Sequence, residues 1–119
     1  MLDTVERISA RDIVYDVIPK LKATEKLTNN TLRDMIAEVE NSDERNRCQL
    51  LQQEFELEIM MIQMNLDHLL KRYAQEIQTV AESGGNDAGA TLELDQHERF
   101  AIDSAKKLYE RARAIQAGE

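Results

Sequence analysis

The chain has 119 residues, 42% of them apolar but only 4% aromatic, with no tryptophan, one proline, four glycines and a net charge of −8. Such a length suits one domain with a real core, and the acidity excludes wrapping nucleic-acid phosphates by charge alone. The single cysteine, Cys48, excludes a disulfide framework, and packing by Leu, Ile, Met and Ala favours helix-on-helix contact over a β-sandwich.

The first predicted element runs from about Ser9 to Leu27. Ser9 followed by Asp12 is a variant of the capping box, and Ile13, Val14, Val17, Ile18 and Leu21 recur at helical spacing. Pro19 falls inside that stripe; its missing N–H and its ring predict a kink or restart near Ile18. A short second helix follows, capped by Asn29 or Asn30, with Leu32, Met35, Ile36 and Val39 on one face. The two make a short N-terminal helical hairpin. Asn41 or Ser42 can cap the next helix, whose first turn holds Asp43 and Glu44 where the helix dipole favours anions.

From Ser42 to Ser83 the chain contains neither glycine nor proline. Cys48, Leu51, Phe55, Ile59, Ile62, Leu66, Leu69, Tyr73, Ile77 and Val80 follow one another at steps of three or four. A straight helix of that length would span roughly 60 Å at ~1.5 Å per residue, so it must bend, break or project from its domain. Apolar residues also lie off the stripe: Leu57, Met60, Met61, Met64 and Leu70. A helix apolar on several sides is covered on several sides, by its own chain or by another. Three of the five methionines fall here, and flexible thioethers suit both irregular cores and adaptable binding surfaces. These five residues are the candidate protein interface.

Residues 83–91, rich in Gly, Ser, Asn and Asp, read as a flexible loop. The last helix begins at Asp95, where Glu98 three residues on completes a capping-box pattern. Ala101, Ala105, Leu108, Ala112 and Ile115 form its inner stripe, widened by Phe100, Ile102 and Tyr109. No segment alternates like a strand. The expected fold is therefore all-α: one helical domain over 1–119 with a long central helix, the N-terminal hairpin and a C-terminal helix packed back along it.

Few residues stand at spacings that carry chemistry. Neither His68 nor His97 has a partner at the i±3 or i±4 spacing of a helical metal site, apart from Glu93 before His97, across the cap. Glu54, Glu56 and Glu58 read as a solvated acidic face, and Lys71-Arg72 as cations suited to a helix C-terminus. No phosphate loop, nucleophile elbow or Ser/His/Asp set occurs. No catalytic residue, cofactor or metal is expected, nor direct nucleic-acid binding. No secretory apolar core opens the chain and the longest apolar run, Ile59 to Ile62, cannot cross a bilayer. The expectation is a soluble intracellular protein, cytoplasmic or, in a eukaryote, nuclear.

Two stretches carry a resemblance. Gln49-Leu50-Leu51-Gln52-Gln53-Glu54-Phe55-Glu56-Leu57-Glu58 leads to Leu69-Leu70-Lys71-Arg72-Tyr73-Ala74-Gln75-Glu76-Ile77, and Leu94-Asp95-Gln96-His97-Glu98 leads to Ala105-Lys106-Lys107-Leu108-Tyr109-Glu110-Arg111. Over about 43–115 this order resembles the helical A domain of the GINS replication proteins. The family's cluster of basic residues late in the long helix is thinned here to Lys71 and Arg72, and its small β domain is absent. The resemblance implies a structural subunit that joins related chains in a ring-like tetramer and activates the replicative helicase. Independently of it, the helical stripes point to a non-enzymatic interaction or scaffold protein, in a homo- or hetero-oligomer. The alternative is a small acidic adaptor, chaperone or inhibitor with one protein target.

Overall fold

A computed structural model describes residues 6–86 and 89–118. The elements follow from local chemistry. β1 (Glu6–Ser9) leads directly into α1 (Ala10–Asp12), and the Ser9 hydroxyl accepts from the Asp12 amide at 3.1 Å, the cap that the sequence announces. A first π-helical segment (Ile13–Val17) then precedes α2 (Ile18–Leu27), which carries Pro19 in its first turn. A proline ring crowds the carbonyl four residues before it. The widened π turn, closed by the Ile18 N–H donating to the Ile13 carbonyl, makes room for that ring without ending the helix. The proline therefore restarts an α-helix at Ile18, as expected, inside one helical run.

The expected hairpin does not form within this stretch: the chain stays helical from Ala10 to Glu38 and turns back only before the next helix. A second π-helical segment (Thr28–Leu32) joins α2 to α3 (Arg33–Glu38), its flanks Leu27 and Arg33 stay right-handed helical, and no side-chain cap forms there. Thr24 and Thr28 are buried and turn their hydroxyls onto the carbonyls of Lys20 and Thr24. Such back-bonding satisfies a buried threonine within the helix and bends it, so the asparagines are not needed as caps.

α4 (Ser42–Arg72) is capped by Asn41, whose side chain accepts from the amides of Asp43 and Glu44. The long stripe breaks once, at Tyr73 (φ −119°, ψ 34°), and resumes as α5 (Ala74–Glu82). That break resolves the length problem. Every member of the stripe from Cys48 to Val80 is buried or half-buried, as its periodicity predicts. β2 (Thr91–Leu94) then pairs antiparallel with β1, Glu6 opposite Leu94 and Ser9 opposite Thr91. This ribbon corrects the strand-free reading. Its strands are four residues each, too short for alternation to stand out, and buried Leu92 is the one fully inward side chain.

α6 (Gln96–Gln116) starts from a complete capping box between Asp95 and Glu98 and packs chiefly on α4 and α2. Ala101, Ala105 and Ala112 are buried, and their small side chains let the helices approach closely. The core is one cluster around Phe55, Ile59, Ile62, Leu66 and Leu69 of α4. The loop before β2 is anchored at both ends: Arg11 Nε donates to the Gly85 carbonyl at 2.8 Å, and the Ala10 N–H donates to the Ala90 carbonyl at 2.9 Å. Residues 87 and 88 of the loop expected over 83–91 lie outside the described residues. No helix among the described residues is long and apolar enough to cross a membrane.

Candidate functional site

α4 has two apolar faces. Inner-face residues Phe55, Ile59, Ile62 and Leu66 are buried. Two residues beyond the first three of these stand Leu57, Met61 and Met64, and two residues are about 200° of helix rotation. The second row therefore points away from the core, and Leu57 (59% exposed), Met60, Met61 and Met64 (67%) are open to solvent. Leu50, Leu57 and Met64 fall seven apart along it, the repeat of a helix-pairing seam.

The sequence-derived interface thus divides. Leu57, Met60, Met61 and Met64 come together on the outer face, whereas Leu70 is half-buried and packs against the core. Leu70 is thirteen positions past Leu57 and has rotated off the row. Phe100 joins the face from α6. Assigned in sequence to the widened inner stripe, it is 66% exposed, because its neighbours Ala101 and Ile102 take the buried positions. Its place opposite Met61 depends on helix–helix packing, which periodicity within α6 does not encode. Between α4 and α6 runs a groove of about 330 Å³ lined by residues including Met61, Ile62, Phe100 and Ala101, with Glu58 and His97 at its edge. On the other flank a shallower groove of about 240 Å³ includes Met60, Ile59, Glu25 and Glu56.

One polar cluster sits at the end of this face. Glu98 is 1% exposed. Its Oε1 accepts from Arg72 at 2.6 Å and from the Asp95 amide at 2.9 Å; its Oε2 accepts from Arg72 Nε at 3.1 Å and lies 3.0 Å from His68 Nδ1. The hydrogen bond to Glu98 raises the Arg72 guanidinium above its ordinary value, against the opposing effect of burial. Arg72 also donates to the Glu93 carbonyl of β2 at 2.7 Å. Sequence spacing alone does not reveal this cluster, because His68 and Glu98 are thirty residues apart.

His68, Asp95 and Glu98 offer three donor atoms within 4.8 Å of one another, a set that can be tested as a metal site. The donor chemistry argues against it. Both Glu98 oxygens already face a guanidinium, and a divalent cation there would sit against that fixed positive charge. The arrangement is a lock joining the end of α4, β2 and the start of α6. His97, the other histidine, is exposed, and Glu93 is directed to Arg7 at 3.6 Å.

No family model, curated protein or solved structure matches the chain. The apolar outer face of α4 is the feature from which function must be argued.

Proposed function

We propose that this chain is a non-enzymatic interaction module that associates with protein through the outer face of α4. The supporting observation is the exposed row Leu57, Met60, Met61 and Met64, extended by Leu50 and by Phe100. Each of the six is more than half exposed, and Met61 and Phe100 line one groove. Exposed apolar side chains that cluster in this way on a folded domain mark interaction sites. Single exposed apolar residues need no explanation. A row at helical spacing beside a groove does.

The test is affinity capture with the whole chain from its native cell extract, paired with solution mass by light scattering. Met61→Glu, at a position 53% exposed, keeps the helical circular dichroism of the parent and loses the associated protein or the oligomer. Unchanged association in that variant sinks the assignment of this face. The finer reading, a subunit of a GINS-like replication assembly, rests on the sequence resemblance and has its own test. Paralogous chains from the same genome must co-assemble with this one. The adaptor, chaperone or inhibitor reading is favoured by the excess of acidic side chains along the middle of α4, and a 1:1 or 2:1 complex with an unrelated target would distinguish it.

A further inference from the structure

Between Cys48 and Leu70 the chain contains no lysine or arginine. The formally charged side chains there are Glu54, Glu56, Glu58 and Asp67, all exposed and all beside the apolar row. Arg111 of α6 reaches Glu54 at 2.9 Å and lies 3.8 Å from Glu58. No ion pair engages Glu56 or Asp67 among the described residues. The face is thus an apolar ridge with an acidic rim that Arg111 interrupts on the α6 side, leaving Glu56 and Asp67 unengaged.

We propose that this face binds a basic amphipathic helix of another protein, an inference that rests on the association reading above and names the partner's chemistry. Four observations carry it. From Leu50 to Met64 the ridge runs about 21 Å, some four helical turns at ~1.5 Å per residue. Its apolar side chains recur at helical steps, so they meet the anchors of a helix laid along α4, and Met60, Met61 and Met64 can repack around anchors of different shape. The groove of about 330 Å³ between Met61 and Phe100 receives one large anchor such as Leu or Phe. The charge then chooses among helices. Lys and Arg flanking those anchors meet Glu56 and Asp67, whereas a second copy of this chain, itself at −8, would set one acidic rim against another.

The probe is a synthetic amphipathic peptide of about 18 residues, ~27 Å as a helix, with Leu anchors, Lys and Arg flanks and a single Trp. Its fluorescence reports burial without background, since the protein has no tryptophan. A twin peptide keeps every anchor and replaces the basic flanks with Glu. We expect saturable binding of the basic peptide with a blue-shifted Trp, weakening as salt rises toward ~0.5 M. The acidic twin binds at least about tenfold more weakly, and Leu57→Glu or Met64→Glu weakens the basic peptide by about tenfold or more. Equal binding of the two peptides overturns the basic partner and leaves association through this face standing. Failure of both peptides, with a dimer in light scattering that Met64→Glu dissociates, overturns it in favour of a second copy. Failure of both with a monomeric protein that captures no partner overturns this inference and the association reading together.

Discussion

Truncating Glu98 probes the lock that ties three elements together. Glu98→Ala removes the side chain that closes the capping box onto the Asp95 amide and both contacts to Arg72. The cap is worth about 1 kcal/mol. Hydrogen bonds to charged groups contribute about 1.5–3 kcal/mol when buried, and here that figure is discounted because the Arg72 side chain is 42% exposed. The expected loss is about 2–3 kcal/mol. Glu98→Gln keeps one acceptor oxygen and most of the packing but turns an amide donor toward Arg72 or His68, so a smaller loss of about 1–2 kcal/mol is expected. In urea, with a slope of about 1–1.5 kcal/mol/M for a domain of this size, the Ala midpoint falls by roughly 2 M and the Gln midpoint by about 1 M. Combining Glu98→Ala with Arg72→Met should cost less than the two losses added, by about 1 kcal/mol, because they share one interaction. A Glu98→Ala protein within about 0.5 kcal/mol of the parent, or strict additivity in the double variant, would falsify the lock.

Other substitutions test the frame around it. Gly89→Ala drives a methyl group into the Val80 side chain, at a residue whose φ is +72°. Strain and overpacking together should cost about 2–4 kcal/mol and lower the thermal midpoint accordingly. Asn41→Ala removes the acceptor for the Asp43 and Glu44 amides and should cost about 1 kcal/mol in urea. Tyr73→Phe deletes the hydroxyl that donates to the Glu93 carbonyl and accepts from its amide. Its stability loss should be about 1 kcal/mol, with faster hydrogen exchange at the Glu93 amide and little change within α4. Phe55→Ala opens the core beneath the Arg111 guanidinium, 5.1 Å from the ring centroid, and should cost about 3–5 kcal/mol.

Much of the fold was legible because helical periodicity is a local signal. The stripe from Cys48 to Val80, the Ser9, Asn41 and Asp95 caps and the interruption at Pro19 depend on residues within a few positions of one another. The ribbon was hidden because pairing Glu6 with Leu94 spans most of the chain, and four residues give alternation no room. Only part of the candidate face could be read. Leu57, Met60, Met61 and Met64 depart visibly from the inner stripe, and Leu70, four residues past Leu66, falls back onto it by periodicity, but the place of Phe100 opposite Met61 belongs to tertiary packing. The Glu98 network was invisible for the same reason: its capping role is local and its bonds to Arg72 and His68 are not.

The ribbon also bears on the order of folding. Joining positions 6–9 to 91–94 closes a loop of most of the chain, at an entropic cost of about 4 kcal/mol beyond a fixed constant. Two four-residue strands return too little to offset that alone. The pairing must therefore wait until the helices have already brought the two segments together. It is a latch that engages on an assembled bundle, and because β1 ends at Ser9, releasing the latch also frees the residue that caps α1. The end of the molecule bearing the ribbon should open as one unit, well before the helices separate.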